Sequence, residues 1–193
     1  MPATENLNPD PESAQKNGQR VGFFAAIATA ILTLVTFGFA IVAVPISGAN
    51  CLEGCIEYPY LDTVAQFPKD YRWMPLAIFL MLAYVVWTVA IHASAAPHKK
   101  IFSQVGLVFA SMAALILITD YFVQFSVVPI SLMSRETEGI TLLTQYNAHG
   151  VFIALEELGY LLMALSFLFV APAFAGKDRL QKAVRWVFLS GFG

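Results

Sequence analysis

The residues of this chain best suited to chemistry are two adjacent glutamates, Glu156 and Glu157, near the start of the apolar stretch VFIALEELGYLLMALSFLFVAPAFA. At helical spacing Glu156 shares a face with His149 and Tyr160, whereas Glu157 is turned about 100° away, onto a face rich in small residues. A carboxylate within an apolar helix is costly and normally faces protein or water, which makes it a candidate functional group. We therefore expect Glu156 to face a polar pocket and Glu157 to take part in helix packing.

A second carboxylate, Asp120, lies at a matching depth. Asp120 is 20 residues beyond Lys100, and Glu156 is 21 residues before Lys177. In two helices that run in opposite directions, both carboxylates would then stand about 30 Å from the basic residues. Helices that follow one another in the chain are usually neighbours. The sequence predicts an acidic pocket, open to the outside, formed by Asp120, Gln124, His149, Glu156 and Tyr160.

Several ligands would suit such a pocket. Carboxylate oxygens with an imidazole are typical of a divalent cation site. The same carboxylates could instead bind a cationic organic group or accept a proton during transport. The sequence contains neither H-E-x-x-H nor a Glu-x-x-His pair, so we assign no metal ligands and no cofactor. A structural role, in which the polar groups only fix the packing of helices, is the alternative.

The rest of the chain indicates a membrane protein. Hydrophobic residues make up 58% of it and charged residues only 12%, well below the roughly one quarter that is usual in soluble domains. Four segments of about 18 residues or more carry no charge, which is the length that crosses a bilayer. We predict an all-α integral membrane protein, an antiparallel bundle of four transmembrane helices over residues 21–46, 74–96, 101–125 and 149–175.

The basic residues predict the orientation of this bundle. They cluster before the first span, between the second and third, and after the fourth, which places all three clusters on one side of the membrane if the spans alternate. By the positive-inside rule, the N-terminus is cytoplasmic and the two long loops lie outside. No basic patch with interleaved aromatic residues suggests a nucleic-acid partner.

The sequence predicts one further segment on each side of the four-helix domain. Residues 1–19 are polar and rich in Pro, Asn and Glu, which predicts a disordered cytoplasmic tail before the four-helix domain of residues 20–176. Residues 177–193 form a basic cytoplasmic segment. Its last residues, WVFLSGFG, are too few to cross a bilayer. We expect either a helix on the inner surface of the membrane or the start of a fifth helix in a longer protein.

The two cysteines of the chain, Cys51 and Cys55, both lie in the first predicted outer loop. An oxidising exterior favours a disulfide bond between them. Their three-residue spacer differs from the C-x-x-C motif of thiol oxidoreductases, which argues against a redox enzyme.

Two segments, DYFVQ at 120–124 and LLTQYNAHGVFIALEELGYLL at 142–162, resemble stretches of prokaryotic multi-pass membrane proteins of unknown activity. The resemblance covers about a third of the chain; it implies a multi-pass protein of the prokaryotic inner membrane and no catalytic assignment. Intramembrane CAAX-type proteases also carry paired glutamates. Their following arginine and their histidine motifs are missing here, so this family is not supported.

These observations lead to one functional hypothesis and two alternatives. The first is a membrane protein whose acidic pocket binds a small ligand or cation, for transport or sensing. The second is an integral-membrane enzyme that uses Glu156 and His149 as acid, base or metal ligands. The third is a structural or assembly subunit. Apart from the lipid bilayer, the expected partner is a second copy of the chain or another member of a membrane complex.

Overall fold

The computed structural model describes residues 11–42, 47, 51–176 and 178–191, and in these ranges the regular structure is helical, without strands. Four of its helices are long and apolar enough to cross a membrane: α1, α2, α3 and α6. Short 3₁₀ turns connect several of the helices. The bounds are α1 Pro11–Val42, α2 Trp73–Ser94, α3 Lys100–Ser126, α4 Val128–Met133, α5 Ile140–Leu143, α6 Val151–Val170 and α7 Arg179–Ser190.

The four long helices lie where the charge-free segments predict them, with one correction at the start of the chain. Helix α1 begins at Pro11, so residues 11–19 are helical rather than disordered. Proline suits the first position of a helix, where its missing N–H costs no hydrogen bond. The remainder of the predicted tail, residues 1–10, and the predicted end of the first span, residues 43–46, lie outside the described residues.

The long helices pack in chain order: α1 along α2, α2 along α3, and α3 along α6. Gly22 near the start of α1 lies against Ala90 near the end of α2, whereas Leu32 packs against the core that surrounds Met74 at the start of α2. Within the described residues α1 has no extended contact with α3 or α6. One side of α1 is therefore open toward α6.

Two glycines allow α3 and α6 to approach closely. A methyl group on Gly106 would lie 2.5 Å from Cγ2 of Val170 and 3.1 Å from the carbonyl oxygen of Ser166. A methyl group on Gly159 would lie 2.5 Å from Cγ of Leu117. Small residues at such contacts are the usual means by which apolar helices pack in membranes.

We call the end of the bundle that carries Lys99, Lys100 and α7 the basic end. Here the Nζ of Lys99 donates a hydrogen bond to the carbonyl oxygen of Ala175 at 3.0 Å. Helix α7 packs Phe188 against Phe174, with ring centroids 5.3 Å apart, and exposes Leu180 and Trp186. Exposed apolar side chains on an amphipathic helix are compatible with the surface helix expected here, and equally with the start of a longer helix.

We call the opposite end, formed by residues 51–72 and 127–150, the loop end. The segments of this end hold one another in place, since the Tyr146 hydroxyl donates to Oδ2 of Asp70 at 3.2 Å and the Thr141 hydroxyl donates to the carbonyl oxygen of Pro59 at 3.1 Å. Helices α4 and α5 belong to this end. Cys51 and Cys55 are joined by a disulfide bond within it.

The Tyr146–Asp70 contact predicts a pH dependence. Burial raises the pKa of Tyr146, and the neighbouring Tyr71 and Asp70 raise it further. Because this pKa is higher in the folded than in the unfolded chain, the contribution of Tyr146 to stability is complete below about pH 10 and is lost as the pH rises further. We expect the thermal midpoint of the parent to fall more steeply above pH ~10 than that of Tyr146→Phe.

The control for this measurement is Tyr58→Phe, because Tyr58 is 76% exposed in the same part of the molecule. Its thermal midpoint should follow that of the parent across the alkaline range. Equal slopes for the parent and Tyr146→Phe would show that the Tyr146–Asp70 contact contributes nothing to the alkaline loss of stability.

Candidate functional site

Glu156 is the centre of a three-membered hydrogen-bonded group with Tyr121 and Tyr160, which we call the carboxyl triad. Its Oε1 accepts hydrogen bonds from the hydroxyls of Tyr121, at 3.1 Å, and of Tyr160, at 3.0 Å. The two hydroxyl oxygens are themselves 3.2 Å apart. Both phenols thus converge on one oxygen of the carboxyl group.

The packing of the helices explains this convergence. Tyr160 follows Glu156 by one turn of α6, so the two side chains lie on the same face. Tyr121 comes from α3, and its ring packs edge-on against Trp73 of α2, with centroids 5.0 Å apart. The close approach of Gly159 to Leu117, one turn of α3 before Tyr121, brings the two helices near enough for the hydrogen bonds.

The carboxyl triad lines a crevice of about 820 Å³ between α1 and α6, with α2 and α3 at its base. Most of the wall is formed by Ala, Leu, Met, Phe and Trp side chains. Among the described residues that line it, Glu156 is the one charged side chain. This combination of a large apolar volume and a single carboxyl group is typical of a site for an apolar molecule with one polar group.

Two further hydroxyl groups line the same crevice without hydrogen-bond partners, those of Thr36 and Tyr84. Both side chains are buried, at 5% and 3% exposure. Buried hydroxyls are nearly always hydrogen-bonded. Thr36 follows Leu32 by one turn of α1 and so lies toward the loop end, as the carboxyl triad does. Its hydroxyl therefore lies at the same end of the crevice as the carboxyl triad.

The structure divides the five residues of the predicted pocket among three places. Glu156 and Tyr160 belong to the carboxyl triad. Asp120 and Gln124 are fully buried nearby and are not hydrogen-bonded to Glu156, although Asp120 is close enough to it to interact electrostatically. His149 is exposed before the start of α6, where its backbone N–H donates to Oδ1 of Asn147.

Glu157 is exposed, so its environment differs from the predicted one. The face of α6 that packs on α3 contains Phe152, Gly159 and Ser166 instead. The sequence argument selected the face with the most small residues, whereas the close contact requires only Gly159 at the correct height. Among the described residues, no helix covers Glu157.

Tyr121 and Thr36 lie outside the predicted pocket, although Tyr121 is a candidate hydrogen-bond donor to these carboxyl groups under the structural alternative. The sequence alone does not decide whether Tyr121, Tyr146 or Gln124 donates to Glu156 or Asp120. One signal was available, since Tyr121 follows Leu117 by one turn and Leu117 lies at the α3–α6 contact. Of the described side chains, no group of three or more His, Cys, Asp or Glu residues could hold a metal ion.

Comparison with protein-family models, with curated proteins and with solved structures finds no match to this chain.

Proposed function

We propose that this protein is a multi-pass protein of a prokaryotic inner membrane, in which α1, α2, α3 and α6 form an antiparallel transmembrane bundle. The N-terminus and the basic end are cytoplasmic and the loop end is outside. Two observations support this orientation: the basic residues gather at one end, as the positive-inside rule requires, and the disulfide lies at the other, where the environment is oxidising.

Within this bundle, the crevice binds a small organic molecule that has an apolar body and a cationic head group, for transport or sensing. The observation that carries the proposal is Glu156, the single charged side chain among the described residues that line about 820 Å³ of otherwise apolar crevice. The head group contacts Glu156, and the body lies along the aromatic and aliphatic side chains of α1 and α2.

The positions of the hydrogen bonds favour a cationic head group. The Tyr121 and Tyr160 hydroxyls both bond to Oε1 of Glu156, so Oε2 accepts no hydrogen bond in this group and can face a ligand. A carboxylate and a cation about 4 Å apart attract each other by roughly 4 kcal/mol at an effective dielectric constant of 20. The crevice wall adds a cation–π contact from Trp73, whose ring lines the crevice and packs against Tyr121 of the carboxyl triad.

The alternative of an enzyme that uses Glu156 and His149 together receives no support from the geometry. His149 is exposed, and it precedes Glu156 by about two helical turns. A structural or assembly subunit is the other alternative. An assembly interface would be consistent with the exposed Glu157, but it leaves the hydroxyls of Thr36 and Tyr84 without partners.

The proposal is tested with tetraphenylphosphonium, a cation with an apolar body, against tetraphenylborate, an anion of the same shape. We expect the protein in lipid nanodiscs to bind the cation in preference to the anion. Glu156→Gln should weaken binding of the cation at least ~10-fold, which corresponds to about 1.4 kcal/mol, and leave that of the anion nearly unchanged.

The matched control is Glu157→Gln, which removes the same charge from the next residue, on an exposed face. This variant should bind both ions as the parent does. Equal loss of cation binding in the two variants would mean that the ion responds only to surface charge. If the parent does not distinguish the two ions, the proposed cationic ligand is wrong.

A further inference from the structure

A second group of buried polar side chains lies under the loop end, apart from the crevice. It contains Asp120, Gln124, Tyr71 and Gln145, and we call it the polar chamber. Tyr71, Asp120 and Gln124 are 2%, 4% and 1% exposed. None of them lines the crevice. The chamber is therefore a separate feature, built by α3 and the segments of the loop end.

The polar chamber contains five buried atoms without a hydrogen-bond partner: Oδ2 of Asp120, Oε1 and Nε2 of Gln124, the Tyr71 hydroxyl and Nε2 of Gln145. More than nine in ten buried polar groups in proteins have a partner. So many unpartnered atoms in one small region are best explained by a bound polar ligand that contacts all of them.

The spacing of these side chains is consistent with a ligand bound between them. The Tyr71 hydroxyl lies near the side chains of Tyr146, Gln124 and Gln145, yet none of them is in hydrogen-bond geometry with it. Asp120 and Gln124 are one turn apart on α3 and so lie on the same face. Polar groups that face each other beyond hydrogen-bond distance are commonly bridged by a bound species.

The charge of Asp120 indicates that the bound ligand is a cation. The one charged side chain among the described residues that acts on Asp120 is Glu156, a second carboxyl group, and no lysine or arginine does so. A buried carboxylate without a positive partner is costly, because neither water nor an opposite charge compensates for it. A bound cation would supply the missing charge and would accept the oxygens of Asp120, Gln124 and Tyr71 as ligands.

We infer that the polar chamber binds a hydrated monovalent cation, with sodium as its probe. Asp120 is the one carboxylate among the four chamber residues, and Asp70, which acts on Tyr71 from outside, already accepts a hydrogen bond from Tyr146. One carboxylate beside neutral oxygens suits one positive charge, whereas divalent ions are typically held by more acidic ligands. The two amide nitrogens cannot ligate a metal and instead donate hydrogen bonds to its water molecules. The inference rests on the unpartnered atoms of the chamber and does not depend on a ligand in the crevice.

The test is the thermal midpoint of the purified protein in sodium chloride against choline chloride at equal ionic strength. A cation that binds only the folded chain raises the midpoint with its concentration. We expect such a rise for the parent and its loss in Asp120→Asn. Tyr71→Phe removes a hydroxyl that has no partner, so it should fold like the parent and still lose most of the sodium response.

Glu156→Gln separates this inference from the proposed function, because it should lose the response to tetraphenylphosphonium and keep most of the response to sodium, reduced only by the loss of one negative charge near Asp120. Equal midpoints in sodium and choline for the parent would overturn the inference. A full sodium response in Tyr71→Phe and Asp120→Asn would overturn it as well. If Asp120→Asn does not fold, Tyr71→Phe alone decides.

Discussion

A Gly106→Leu variant is expected to lose about 3 kcal/mol or more of its free energy of unfolding, because the α3–α6 contact has no room for a side chain. Even a methyl group would lie 2.5 Å from Val170 and 3.1 Å from backbone atoms of α6. The side chain of Val170 can turn away, but the backbone of α6 can yield only if the helix itself moves. The measurement is reversible unfolding in mixed micelles.

The control is Gly38→Leu in α1, since a methyl group on Gly38 would have no atom within 4 Å. Leucine forms a helix more readily than glycine by almost 1 kcal/mol, so this variant should be as stable as the parent or more so. Opposite signs for the two substitutions would establish that the loss in Gly106→Leu comes from the contact. A stable Gly106→Leu protein would mean that α3 and α6 are farther apart than described.

Two buried tyrosines should respond oppositely to the same substitution. Tyr84→Phe removes a hydroxyl that has no hydrogen-bond partner, so it is expected to raise the free energy of unfolding by about 1–3 kcal/mol. Tyr121→Phe removes a hydroxyl that is bonded to Glu156 and is expected to lower it by a similar amount, about 1.5–3 kcal/mol. The rings are 3% and 2% exposed, so burial does not distinguish them.

The two variants are compared by unfolding of ligand-free protein under identical conditions. Tyr84 is near Ser166, whose hydroxyl also lacks a partner, so Tyr84→Phe leaves no group newly unpaired. In Tyr121→Phe, by contrast, Glu156 loses one of its two donors. A loss of stability in Tyr84→Phe would show that its hydroxyl has a partner in solution, such as a water molecule or a molecule in the crevice.

The four long apolar helices could be predicted from the sequence because apolar length is a property of each segment alone. The depth of Glu156 followed from counting residues along a helix, and the structure places Tyr160 beside it as the helical spacing predicted. The partner from the neighbouring helix could not be predicted in this way. Asp120 and Tyr121 are adjacent, and which of them meets Glu156 depends on a rotation of α3 that is set by the contact between Gly159 and Leu117.

The crevice and the polar chamber were beyond sequence reasoning for a related reason. Ala26, Ala30 and Thr33 of α1 are small enough for close helix packing, but in the structure they line the crevice. The chamber needs Tyr71 and Gln145, which lie on different segments of the loop end. They come close only because the hydrogen bond from Tyr146 to Asp70 joins those segments. Long-range placement of this kind leaves no periodic pattern in the chain.

Within the described residues α1 packs mainly against α2, and this has a mechanical consequence. The close contact of Gly22 with Ala90 near the basic end can serve as a pivot, and Thr36 lies 14 residues farther along α1, a lever arm of about 21 Å. A tilt of about 10° around that pivot would displace Thr36 by roughly 4 Å, close to the width of a methylene chain. If α1 tilts in this way, the crevice widens on the α1 side while the carboxyl triad, held by α3 and α6, keeps its geometry.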